Sequence, residues 1–524
     1  MPPVISLRGF AGETPKVQPY YLPETHAVES IGARLDRGDL TPFNAMVAER
    51  SFPSAQDTIY IHGAEWLSWD GDADAVPGPV ATDRLYVTRA GAAPIMRVDG
   101  VDRPLSLPTP TEKPVATING TLDSALAEDV IYAWTWVTSL GEETAPSPPS
   151  SPVLWSPGCT ATVQGLPAAS PVANRLISGK RIYRSQTGAS GSTDLYFVAE
   201  IAATATTYLH NPATTPLQEA IATKDFDPVP ANLQGLVAMP NGIMAGFTGK
   251  RLWFCEPFQP HAWPNAYSQT MNDFIVGLAA FGTSLAVLTT GRPYLVQGLH
   301  PSQMAMEQIE QPFPCIAKRG IVDMGYAAIY PSPDGLVQIG PNGAGLISQA
   351  LWTPKQWRDL SPHNIRAARY GTRYAFLHPD GATKRLSMVD TTGAQPFVVP
   401  TSERGRSLLG HDNSGSLFIL NAAGTGVSEF DPDDSPAGTF TWKSKPFRMT
   451  AALSIGVGIV DTDGSPGAMT LRVYCDGAMI LQTTLKDRPF RFPPNLGREW
   501  QVEITGACTV IQIRLARSMG EIDG

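Results

Sequence analysis

Ile243-Met244-Ala245-Gly246-Phe247-Thr248-Gly249-Lys250-Arg251-Leu252-Trp253-Phe254 is an apolar run, a glycine turn and a second apolar run. Each run has the length of a strand, and Gly249 permits a reversal that a side chain would resist. The unit returns four times. Ser284–Leu288 reverses at Gly291 into Tyr294-Leu295-Val296, and Ala327–Tyr330 reverses through Asp334-Gly335 into Leu336-Val337-Gln338-Ile339. Arg369-Tyr370 reverses at Gly371 into Tyr374-Ala375-Phe376, and Leu408-Leu409 near Gly415 into Leu417-Phe418-Ile419. The turn glycines stand 42, 44, 36 and 44 residues apart. A period of roughly 40–45 residues holding several strands is that of β-propeller blades, and about five to seven blades fit.

Outward from this repeat, two segments break the period. Pro108-Thr109-Pro110-Thr111-Glu112-Lys113-Pro114 reads as a stiff extended linker. After it, Ile131–Val137 is aromatic and β-branched, with Tyr132, Trp134 and Trp136 at period two. Gly141–Ser147, Arg181–Arg184, Leu195–Ile201 and Thr207-Tyr208 follow in an order resembling a fibronectin type III-like sandwich. Removing it lets Leu85-Tyr86-Val87-Thr88 join the later blades, so the module is expected as an insertion in a loop. The acidic, turn-rich Asp431-Pro432-Asp433-Asp434-Ser435-Pro436 marks a second break, followed by alternating strands to residue 515. The expected fold is all-β: an N-terminal arm and first part of a propeller over 1–111, the fibronectin III-like insert over 112–214, the remaining propeller over 215–434, and a small C-terminal β-sandwich over 435–524. Only Ala27–Leu35 and Pro354–Leu360 read as short helices.

Composition agrees with many short strands. Of 524 residues, 43% are apolar and 17% charged, below the usual ~25%. Gly and Pro, 48 each, are spread between apolar runs, as turns require. The net charge of −9 disfavours tight nucleic-acid binding, which needs clustered cations to displace counterions. It suits a surface along which DNA slides without sticking. The residues from Met1 to Arg8 do not read as a signal peptide, and no run of about 18 apolar residues predicts a membrane span. Five widely spaced cysteines predict reduced, buried thiols.

A search for chemistry yields little. The eight histidines are far apart and no C-x-x-C occurs. Gly246–Arg251 has the wrong spacing for a phosphate loop and reads as a hairpin. Asp70-Gly71-Asp72-Ala73-Asp74 alternates carboxylates, but Ala75 and Ala81 stand where a calcium loop needs glycine and a bidentate glutamate. Ser332-Pro333-Asp334-Gly335 resembles the Asp-box turn of sialidase propellers without its downstream tryptophan, and occurs once. Asn119-Gly120-Thr121 is a formal glycosylation sequon. Lys318-Arg319, ahead of Gly320, is the densest basic pair in a suggestive place, a candidate inter-subunit or DNA-facing contact. No catalytic residue, cofactor or metal is expected.

Several stretches carry a family likeness: Phe10–Val17 through Leu22-Pro23, Arg37–Pro42, Pro79–Thr88, Glu256–Pro264, and Lys318–Gly325 continuing into Ser332–Leu336. In these the chain resembles the tail nozzle proteins (tail tubular protein B, or tail hub) of short-tailed bacteriophages. The resemblance implies a non-enzymatic virion protein made in the host bacterial cytoplasm and located in the tail. It implies a homohexameric ring below the portal and adaptor rings, carrying fibres or spikes, through which genomic DNA passes without sequence-specific binding. Two other readings stay open. One is a glycan-binding or glycan-degrading propeller of a phage adhesin, with Trp66, Trp69, Trp263, Trp352 and Trp357 as stacking platforms. The other is a baseplate or fibre component of a long-tailed phage.

Overall fold

The computed structural model describes residues 4–522 apart from 82, 170, 188–192, 392–394, 412–413 and 487. Thr82, within one stretch of family likeness, therefore lies outside the described residues. Among those described are 47 strands, two short α-helices and five 3-10 turns. The fold is an all-β propeller whose repeating unit is a four-stranded antiparallel sheet. The chain divides into two compact units, one of Met1–Gly71, Ala286–Leu295 and Gln308–Gly524, the other of Asp72–Leu285 and Val296–Glu307.

In the second unit, the first blade runs Ala73–Pro77, Leu85–Arg89, Ala92–Val98, Val101–Pro104, and the next Gln234–Ala238, Met244–Thr248, Arg251–Phe254, Gln269–Thr270. Strand Gln234–Ala238 packs on Ala73–Pro77, and the Gly235 amide donates to Asp74 at 3.1 Å. Val76, Tyr86, Met96, Leu236, Met244 and Trp253 share one core across the two blades. A third sheet takes its strands from Ile275–Phe281 to Ala305–Gln308. In the first unit a fourth blade spans Val322–Leu346 and a fifth Arg366–Gly405. The sixth takes Ser407–His411, Ser416–Leu420 and Gly426–Phe430, and borrows its fourth strand, Val47–Ser51, from the N-terminal arm.

Among the described residues, six four-stranded blades, the fifth of them part of a larger sheet, correct the sequence period. Gly249, Gly291 and Gly335 sit between second and third strands, but Gly371 and Gly415 lie between first and second. The equivalent turns of the last two blades hold Gly381 and Gly424. The true spacing is then 42, 44, 46 and 43 residues, and the irregular 36 disappears. Gly381 and Gly424 have positive φ, +64° and +78°, so their absence of a side chain is a conformational requirement.

The inserted sandwich takes its strands from 115–210. One sheet orders Val115–Asn119, Thr160–Gln164, Thr207–His210, the other Tyr132–Thr138, Ile177–Thr187, Thr193–Ala202. Tyr132, Trp134, Trp136, Val163, Ile182 and Val198 form a core drawn from both. Tyr132–Thr138 is buried on both faces, not only on the aromatic one. Its free edge is covered by the proline-rich run after Thr144. The amides of Thr144, Ser147 and Ser150 donate to the carbonyls of Trp136, Trp134 and Tyr132. Their hydroxyls accept from the amides of the same three residues at 3.0, 3.2 and 2.9 Å. A three-residue repeat thus satisfies alternate strand residues, and the intervening prolines offer no donor to a further strand.

Ala27–Leu35 is not a helix. His26–Ile31 is a strand paired with Phe440–Ser444, and Gly32, at φ +68°, ends it. Val28 and Ile31 favour the extended form, and the tertiary ladder overrides weak helical spacing. Pro354–Asp359 is the expected helix, with Pro354 at its first position and a capping box between Thr353 and Gln356. The C-terminal strands do not close on themselves. Ile5–Leu7 completes one sheet beside Val510–Ala516. The other sheet is continuous from the fifth blade through Ala11–Glu13 and His26–Ile31 to Phe440–Ser444, Gly497–Gly506 and Thr470–Cys475. Phe10 meets the fully buried Trp442 edge-on at 5.0 Å at this seam.

Candidate functional site

The chain's most concentrated buried polar chemistry lies where the insert meets the first two blades. Glu142 ends the tight turn after Tyr132–Thr138, and its Oε2 accepts from Arg175 Nη1 at 2.5 Å and Thr138 Oγ1 at 3.2 Å. Arg175 is fully buried and also donates to the Leu105 carbonyl, at the end of the first blade, at 3.2 Å. His261 comes from the Glu256–Pro264 loop of the second blade. Its Nε2 lies 2.9 Å from the Glu143 carbonyl, which fixes that nitrogen as the donor. Nδ1 then faces Glu142 Oε1 at 3.8 Å as a lone pair, and neither atom has a hydrogen-bond partner. Glu143 is tied by Thr135 and Tyr183 at 2.6 Å each and by Arg181 at 2.7 Å.

Burial lowers the His261 pKa from its ordinary value, with the Glu142 charge opposing the shift. Burial pushes the Glu142 carboxyl up, but the bond to Arg175 and its charge, with His261 and Thr138, together hold it below its ordinary value. The junction therefore prefers neutral histidine beside an ionised carboxylate. As pH falls through about 6.5, unfolded His261 takes up a proton that the folded residue resists, so stability is lost on acidification. His261→Gln keeps a donor for Glu143 and removes this titration. Melting temperatures between pH 8 and 5 should fall less steeply in the variant than in the parent; parallel curves would refute the assignment.

The other sequence candidates are mostly structural. Lys318 and Arg319 are half-buried in a 3-10 turn, Lys318–Gly320. Gly320 is fastened in place: a Cβ there would meet the Pro331 ring at 2.6 Å, and its carbonyl accepts from Tyr374 at 2.7 Å. Trp263 and Trp357 are fully buried, and Trp66 packs edge-on against Phe418 at 5.0 Å. Trp352 lines a cavity. Gly246–Arg251 is the hairpin expected. Ser332–Gly335 closes as a side-chain-supported turn, with Ser332 Oγ accepting from the Asp334 amide and donating to the Gly335 carbonyl. Trp357, from the helix, donates its Nε1–H to the Ser332 carbonyl at 2.9 Å. Among the described residues no group of three or more His, Cys, Asp or Glu is placed to hold a metal ion. All five cysteines are free, four of them buried.

The sequence did not single out Arg175, and it left His261 among eight isolated histidines. Arg175 stands in a loop and reaches Glu142 only through the fold. A signal that could have found the junction is Glu142-Glu143, two carboxylates beside a strand otherwise made of apolar and threonine residues.

No family model matches the chain, and no curated protein matches it. Among solved structures, the chain is similar to the Pan2 WD40 domain of Neurospora crassa, with TM-score 0.31 and 6% identity over 77% of this chain and 98% of that one. It is also similar to the dihydro-heme d1 dehydrogenase NirN in complex with DHE, with TM-score 0.25 and 11% identity over 70% and 74%. The propeller assignment rests on strand order and not on these distant likenesses.

Proposed function

We propose that the chain is a non-enzymatic structural subunit of a short-tailed phage tail: a nozzle protein that forms a six-membered ring around the DNA exit channel. The observation that carries this reading is how the first 51 residues lace the frame. Ile5–Leu7 and Val47–Ser51 each complete a sheet built from residues beyond 400, and His26–Ile31 pairs with Phe440–Ser444 inside the sheet that joins the fifth blade to the C-terminal strands. Strands contributed from both ends of a chain must be stripped together before either end can open. That arrangement suits a part loaded along a channel. The net charge of −9 suits a lumen that does not hold phosphate. On this reading the adaptor ring and the fibres or spikes are the protein partners, and Lys318 and Arg319, on their fixed turn, are contacts to a neighbouring subunit or the lumen.

The test is the assembly state. Mass photometry of the purified chain should find a species of six times the 56.2 kDa chain mass. A monomer persisting at high micromolar concentration would argue against the ring.

A further inference from the structure

Two adjoining cavities in the first unit, of about 270 and 410 Å³, share Glu13, Arg385 and Pro400. Together they cross the seam where the fifth blade's sheet passes through Ala11–Glu13 into the C-terminal strands. The smaller one has an apolar wall containing Trp352, Phe376 and Leu360, with His378 and Gln356 among its polar groups. The larger one carries Glu29, Lys443 and Gln501. Glu13, at the shared centre, accepts from the Ser30 amide through Oε1 at 2.8 Å. Arg385 is held by its Nε on the Thr401 carbonyl at 2.6 Å. Both side chains are thus anchored at one end, and both residues line the two cavities.

We propose that this groove binds a short neutral oligosaccharide, with one sugar ring against the Trp352–Leu360 wall and the next spanning Glu13, Arg385 and Gln501. Three features select the ligand. Carboxylates, cations and amides are mixed in the lining, which matches hydroxyls that both donate and accept. Glu29 and Asp359 are offset by Arg385 and Lys443, which favours neither a polyanion nor a polycation. Burial pushes Glu13 up to about 7, so near neutral pH it both donates and accepts. The apolar wall at one end accepts the C–H face of a pyranose, as aromatic side chains do. An extended peptide would instead be read by the unpaired backbone of a sheet edge, whereas Glu13, Glu29, Arg385, Lys443 and Gln501 are side chains on strands paired on both sides. The inference is independent of the nozzle reading, because a glycan site can sit on a virion part or elsewhere.

The test is titration of the full chain with maltohexaose, cellohexaose and chitohexaose, with a neutral decapeptide and oligo(dT) as competing classes. One neutral oligosaccharide is expected to bind. Arg385→Met should weaken it by roughly tenfold or more, the loss of a charge-assisted hydrogen bond. Glu13→Gln should remove the pH dependence of binding between pH 6 and 8. Hydrogen exchange on the unmodified protein provides a readout independent of variant folding: the oligosaccharide should protect Thr383–Asp390 and Phe397–Gly405. The proposal is overturned if none of the three sugars binds at concentrations up to about 10 mM. It is equally overturned if the peptide or oligo(dT) is preferred, or if protection falls elsewhere.

Discussion

Asp431→Ala should destabilise the first unit by about 3 kcal/mol or more, one of the two largest effects of any single change in the molecule. Asp431 was legible only as part of an acidic break, yet its side chain is 1% exposed and forms an ion pair with Arg34. Its two oxygens also accept from the Asn44 amide at 2.7 Å and from the Tyr370 hydroxyl at 2.5 Å. The residue adopts a left-handed backbone at φ +58°, which aspartate and asparagine tolerate better than most residues. It therefore clasps the N-terminal arm to the fifth blade at the point where the sixth blade ends. Alanine would leave Arg34, Asn44 and Tyr370 without that acceptor and would strain the turn. Asp431→Asn keeps the conformation and part of the hydrogen bonding, so it should lose less. Urea unfolding followed by tryptophan fluorescence checks both; an unchanged midpoint in the alanine variant would refute the clasp.

Arg175→Ala should cost a comparable amount, about 3–5 kcal/mol, concentrated at the insert junction. Both partners of the Arg175–Glu142 pair are essentially buried, 0% and 5% exposed. Removing the cation leaves a carboxylate in a site already bordered by the His261 lone pair, with no solvent to take its charge. The Leu105 carbonyl also loses its donor. The double variant Arg175→Met, Glu142→Gln should recover much of the loss, because the penalty comes from the unpaired charge and less from the pair itself. Limited proteolysis and hydrogen exchange should show the damage within residues 112–214 and the adjoining blade edges. A double variant as unstable as the single one would show that packing, not charge, holds the junction.

What the sequence disclosed follows from the range of the forces involved. The blades were legible because a strand–glycine–strand unit is local, and Gly249, Gly291 and Gly335 mark one equivalent turn. The phase slip at Gly371 was not visible, since two turns of a four-stranded meander can both carry glycine. The insert was legible from the aromatic run at Tyr132–Val137. The role of Ala27–Leu35 was hidden: its pairing partner, Phe440–Ser444, lies some 400 residues away. The sandwich expected over 435–524 was recognisable from alternating strands, but not the N-terminal strands that complete both of its sheets. Of the buried junction, Glu142 and Glu143 entered only as part of the Gly141–Ser147 stretch, and Arg175 and His261 did not stand out, because their contacts are made only in the folded chain. The cavity around Glu13 and Arg385 was equally hidden, since these residues come from separate strands far apart in the chain.

The most direct test of the nozzle assignment is electron cryo-microscopy of the particle that carries this chain. The account predicts six copies in a closed ring at the distal end of a short tail, with residues 4–51 laced into each subunit as described. A particle whose tail lacks the chain, or holds it as isolated copies on fibres, would contradict it.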